Sequence, residues 1–153
     1  MGPRDRLAQL GIELPEPAAP KGAYFPSRLS GNQLWVSGTT ARRGQTPALR
    51  GIVGDGVTVE QAQQQARTAA LNLLAAVDAA TGLDAVTSLL HLRGYVRATA
   101  EFDAHPTVID GASTLLLQVF GDQTGAHART AIGVASLPGG ACVELELVVT
   151  VTL

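Results

Sequence analysis

With 153 residues the chain is long enough to bury one real core and short for two domains. Hydrophobic residues make up 46% of it and charged ones 16%, a balance that excludes wholesale disorder. The formal net charge of −2 and the 4% aromatic content supply no basic, stacking surface of the kind non-specific nucleic-acid binding uses.

The opening "MGPRDRLAQLGIELPEP" has no apolar signal-peptide core, and no stretch approaches the ~18 apolar residues of a membrane span. Cys142 is the only cysteine, which leaves no internal disulfide framework and fits a reducing compartment. A soluble cytoplasmic protein is expected. The prolines of Glu13 to Gly22 make residues 1–22 an extended lead-in, with a single domain over residues 23–153.

"AYFPSRLSGNQLWVSG" reads as two strands joined at Ser30-Gly31-Asn32, with Leu34 and Val36 on one face and Gln33, Trp35 and Ser37 on the other. Residues 39–57 are Gly-rich and irregular; Arg42, Arg43 and Arg50 there are read as a solvated loop, an anion site being the alternative. Thr58 and Gln61 have the spacing of a capping box, which predicts a helix running to a left-handed stop at Gly82. Its stripe of Val59, Ala62, Ala66, Ala69, Leu73, Val77 and Ala80 is mostly alanine, so the helix can lie close to a sheet.

"SLLHLRGYVRA" alternates, with Leu90, Leu92, Gly94 and Val96 to one side and His91, Arg93, Tyr95 and Arg97 to the other. Pro106 opens a second helix, whose stripe of Val108, Ile109, Ala112, Leu115, Leu116, Val119 and Phe120 ends at Gly121. Strands over Thr130–Ala135 and Cys142–Leu153 follow, joined by Pro138-Gly139-Gly140. The order β-β-α-β-α-β-β predicts an α+β domain, a mixed sheet with two helices packed on one face.

By the period of two, Ile132 and Val134, with Val143, Leu145, Leu147, Val149 and Val151, are expected to face the helices. Arg129, Ala131, Gly133 and Ala135, with Cys142, Glu144 and Glu146, fall on the opposite face. A two-helix layer cannot cover both faces, so a second copy of the chain is the expected cover. An arginine near two glutamates is, by residue type alone, more often a salt-bridge partner than a ligand-binding group.

The "VSG" strand end, the "ALNLL" helix, the "AR" strand start, the "LP" turn and the "VELE" strand, in this order and spacing over Ala23–Leu153, resemble the YjgF/RidA family of reactive-intermediate deaminases. The resemblance implies a chorismate-mutase-like fold, a homotrimer and a pocket at each subunit interface. It implies hydrolysis of an enamine or imine carrying a carboxylate, such as 2-aminoacrylate, to a 2-keto acid and ammonia, without metal or organic cofactor. Carried over by position, Arg129 pairs with the substrate carboxylate, Glu144 activates the hydrolytic water, and Tyr24, Ser37 and Gly38 line the pocket.

Two positions depart from the deaminase pattern. A proline is common two residues before the arginine and a cysteine two after it; here those places hold His127 and Ala131. His127 is thereby either a ligand contact or a loop residue, while His91 and His105 read as structural. The histidines and Cys142 lack metal-ligand spacing, and no phosphate-binding loop, dinucleotide fingerprint or nucleophile elbow occurs. A non-catalytic small-carboxylate binder is the second functional reading. An endoribonuclease, a name attached to parts of the family, comes third because the surface charge argues against nucleic acid.

Overall fold

The computed structural model describes residues 1–153. In chain order the elements are α1 (Pro3–Gln9), β1 (Ser27–Ser30), β2 (Gln33–Thr39), β3 (Ile52–Val53), β4 (Gly56–Val57), α2 (Val59–Thr81), β5 (Val86–Arg97), α3 (His105–Thr124), β6 (Ala128–Val134) and β7 (Val143–Val151). Five strands form one sheet in the order β1-β2-β7-β5-β6, while β3 and β4 make a separate short pair. Only the β5–β6 pairing is parallel within the large sheet, so it is mixed, with α2 and α3 on one face. The α+β expectation holds.

The capping box closes α2 as its residue types require. Gln61 N–H donates to Thr58 Oγ1 at 3.1 Å and Thr58 N–H to Gln61 Oε1 at 2.9 Å. Gly82 ends the helix with φ 79°. Ala62, Ala66, Ala69, Leu73, Leu74 and Val77 are buried beneath it, and α3 adds Val108, Ile109, Ala112, Leu115, Leu116 and Val119. The two helices touch through Gly111, where a Cβ would strike the backbone carbonyl of Gln63.

The lead-in is not extended throughout. Residues 3–9 form α1, which begins at Pro3 and tucks Leu7 into the core against α3. Arg4 donates to Asp78 of α2 at 2.6 Å, so the segment is docked on the helix layer. A single leucine per turn is too weak a period to announce a seven-residue helix.

On β7 the alternation holds: Val143, Leu145, Leu147, Val149 and Val151 are buried under the helices, and Glu144 and Glu146 face away. On β5 the register shifts between Leu89 and His91, so Leu89 is buried in place of Leu90. Cys142 is buried in the core rather than placed on the open face.

On β6 the period is right and the phase is reversed. Arg129 lies opposite Leu92 and reaches Asp110 and Ser113 of α3, Ala131 packs on the core, and a Cβ on Gly133 would meet His105. Ile132 pairs with Tyr95 and points outward, 45% exposed. The small residues belong under α3, where the helix start crowds the strand.

Candidate active site

Strand β2 carries Leu34 and Val36 into the core and then breaks its register with β7 between Val36 and Thr39. The irregularity turns Ser37 and Gly38 toward the end of β7. Ser37 ties down the segment that precedes β1, its N–H donating to Pro26 O at 2.9 Å and its Oγ–H to Phe25 O at 2.6 Å. That brings Tyr24 to the same place. Gly38 lies against Glu144, and a Cβ there would stand 3.2 Å from Oε2.

Past Thr39 the chain continues as a loop held from beneath by Asn72 of α2, which donates to Thr40 O at 2.9 Å and to Arg42 O at 2.7 Å. An amide buried to 7% exposure needs such partners, and these fix the path of the loop. The end of β2, this loop, Asn72, Leu73 and Ala76 of α2, residues 18–21 of the lead-in, and Pro138, Gly139 and Ala141 enclose a cavity of about 280 Å³. Tyr24, Ser37, Gly38 and Glu144 all line it.

Glu144 carries the electrostatic interest of the cavity. Burial pushes its carboxyl above the usual carboxylate range, and the neighbouring Glu146 adds to the rise. It forms no ion pair. Glu146 takes the available donors, Arg93 Nη1 at 3.1 Å and the Tyr95 hydroxyl at 2.6 Å. That hydrogen bond first, then burial, pushes the Tyr95 phenol up to about 12, so it remains a donor to Glu146 at neutral pH.

Two sequence-predicted site residues lie elsewhere. Arg129 is on the helix side of β6, its Nη1 donating to Asp110 Oδ1 at 2.7 Å and to Ser113 Oγ at 3.1 Å, and its Nη2 to Pro106 O at 3.3 Å. His127 sits between Ser113 Oγ at 2.9 Å and Gly125 O at 2.7 Å. Neither lines the cavity. Ala131 and Gly133, expected on the open face with Glu144, lie instead beneath the helices, Ala131 against the core and Gly133 against His105 at the start of α3.

Conversely, Lys21 and Asn72 line the cavity without having been singled out, and so does Arg42, read from the sequence as part of a solvated loop with an anion site as the alternative. Asn72 left a trace: it is the one amide inside "ALNLL", on a helix stripe otherwise made of alanine and leucine. No three His, Cys, Asp or Glu side chains come together as a metal-binding group. No helix is long and apolar enough to cross a membrane.

A helix-backed sheet with a small cavity at one strand end, holding one desolvated carboxyl among hydroxyls, cations and glycine, has the shape and lining that small-molecule sites share. Residues 4–149 match the family described as "YjgF/chorismate_mutase-like, putative endoribonuclease", and the chain belongs to this YjgF/RidA family. It is 41% identical over 144 residues to Protein TCP17 of Trypanosoma cruzi, covering 94% of this chain and 90% of that protein. The structure of Atu1372 from Agrobacterium tumefaciens, a protein described as of unknown function, is similar at a TM-score of 0.89 and 38% identity, over 99% of this chain and 94% of that one. RidA from an Antarctic Psychrobacter shares the fold at a TM-score of 0.60 and 23% identity, over 89% of this chain and 94% of its own.

Proposed function

We propose that the cavity beside Glu144 hydrolyses small imino acids, formed by tautomerisation of enamines such as 2-aminoacrylate, to 2-keto acids and ammonia. The observation that carries this reading is a half-buried, unpaired carboxyl with a raised pKa at the wall of a cavity, next to a glycine that leaves room beside it. Such a group accepts a proton from water as its oxygen attacks the imine carbon. It returns that proton to the nitrogen, giving a carbinolamine, and then carries the carbinolamine hydroxyl proton to the nitrogen as well, so that the C–N bond breaks, ammonia leaves and the carbonyl remains. Ser37 and Tyr24 shape the wall around the reacting carbon.

The reading includes assembly as a homotrimer. The open face of the sheet carries Trp35, 46% exposed, together with the similarly exposed Ile132, a surface suited to a second copy. One protomer cannot direct both Arg129 and Glu144 at one ligand, so Arg129 would enter the site from the edge strand of a neighbouring copy. Its bond to Asp110, which is 58% exposed at the side chain, is of the surface type that a substrate carboxylate can replace. A cytoplasmic location completes the proposal.

The test is release of keto acid from 2-aminoacrylate generated in situ, compared between wild type and Glu144→Gln. Equal rates refute the reading. Carboxylate binding without any turnover would instead favour the non-catalytic binder, and cleavage of RNA by the purified protein would favour the ribonuclease.

A further inference from the structure

Three charged side chains line the cavity, Glu144, Arg42 and Lys21. The chemistry proposed above uses Glu144 and leaves the two cations without a task. Arg42 is half-buried and forms no ion pair, whereas Arg4, Arg93 and Arg129 are each bonded to a carboxylate. Its backbone is also held in place, since Asn72 ties down the carbonyls of both Thr40 and Arg42 from α2. A lone guanidinium on an anchored loop at a cavity wall is preorganised for an anion.

Arg42 and Glu144 line the same cavity from different elements, the loop after β2 and strand β7. Gly38 lies beside Glu144, and four residues of chain join it to Arg42, a reach of at most roughly 14 Å. The cavity, about 280 Å³, exceeds what 2-aminoacrylate needs: at about 30 Å³ for a water-sized group, its six heavy atoms take up no more than about 180 Å³. The remainder admits another carboxylate.

We propose that Arg42, assisted by Lys21, receives a second acidic group of the substrate, so that the site prefers imino acids whose side chain ends in a carboxylate. The proposal rests on the hydrolase reading for the word substrate, while the anion site itself is testable without turnover. Arg42 determines specificity and takes no part in the proton transfers.

Equilibrium binding of two keto acids tests it, 2-oxoglutarate with two carboxylates and 2-oxobutyrate with one, measured by calorimetry on the full chain at low salt. The wild type is expected to bind 2-oxoglutarate about tenfold or more tightly than 2-oxobutyrate. Arg42→Ala and the shape-preserving Arg42→Gln should both erase that preference and leave 2-oxobutyrate affinity unchanged. Arg43→Ala, at an exposed neighbour outside the lining, should keep it. Absence of the preference in the wild type, its survival in both Arg42 variants, or an equal loss for both ligands overturns the proposal. If the preference follows Arg42 but no imine is hydrolysed, the hydrolase reading fails alone.

Discussion

Glu144 and Arg129 stand on opposite faces of one sheet. Through β5, Glu144 lies across from Tyr95 on the open face, and Arg129 lies across from Leu92 on the face covered by the helices. A single ligand touched by both therefore requires two copies of the chain. Arg129→Ala and Glu144→Gln, each expected to be inactive alone, should regain activity when unfolded together and refolded as mixed oligomers. Random assembly of equal amounts places intact partners at roughly a quarter of the interfaces. Mixed oligomers without any recovered hydrolysis would show that the two residues do not share a site.

Glu144→Gln should keep carboxylate binding and lower kcat on the order of 10²- to 10⁴-fold, since the amide preserves shape but cannot accept a proton. The raised pKa of Glu144 also sets a sign for pH. As a base it works only when ionised, so the acidic limb of kcat/KM should lie above the ordinary carboxylate range. For stability, the folded state holds the proton more tightly than the unfolded one. The contribution of Glu144 is thus most favourable at acid pH and is lost as pH rises from the unfolded pKa through the folded one. Glu144→Gln should be more stable than wild type at neutral pH and lose that advantage toward pH 4, as thermal melts across pH will show.

Gly38→Ala introduces a methyl 3.2 Å from Glu144 Oε2 and 3.3 Å from its Cδ, tight enough that the carboxylate must move. Because Gly38 is exposed, the fold should tolerate the change. The expected signature is a fall in kcat larger than any rise in KM, with Tm within a few degrees of wild type. An unaltered kcat would mean that the position of the carboxylate is not critical.

Two glycines at the helix layer, Gly94 on β5 and Gly111 within α3, should respond differently to the same substitution. At Gly94 the new methyl meets only the side chain of Ile109, while at Gly111 it meets the backbone carbonyl of Gln63. Both alanine variants should lose about 1–3 kcal/mol by overpacking. Ile109→Val should restore part of the loss at Gly94, and no side-chain trimming of Gln63 should help Gly111. Denaturant titrations of the single and double variants read this directly.

His127→Pro, which installs the residue common in the deaminase pattern, removes the link from Ser113 Oγ through the imidazole to Gly125 O. It should lower Tm, and it should leave the binding of 2-oxobutyrate unchanged because His127 does not line the cavity. Weaker ligand binding with an unchanged Tm would return His127 to the site.

The order of the five main strands and two long helices, the capping of α2 and the inner face of β7 were legible because each rests on local chemistry: a Thr58–Gln61 exchange, a left-handed Gly82, a strict period of two. Four of the six expected site residues also meet in one cavity. What could not be read was phase. On β6 the apolar Ile132 and the small Ala131 and Gly133 compete for the same rule, and the rule presumes that only the helix side is apolar. Here the outer face also holds apolar Trp35 and Ile132 among its charged residues, and beneath α3 a Cβ on Gly133 would already meet His105. Arg42 could not be told from Arg43 and Arg50 for a related reason: its surroundings are assembled by Asn72, thirty residues further along the chain, and no local pattern announces that bond.

Strand β7 lies in the middle of the sheet, between β2 and β5, although it is the last strand in chain order. A nascent chain that has released everything up to β6 therefore carries β2 and β5 as two raw edges with no neighbour between them. The sheet cannot zip until residues 143–151 have cleared the ribosome. During synthesis the protein is a held-open clasp, exposed to pairing with the wrong strand or with another nascent chain. Its cellular yield should consequently depend on chaperone capacity more steeply than its equilibrium stability suggests.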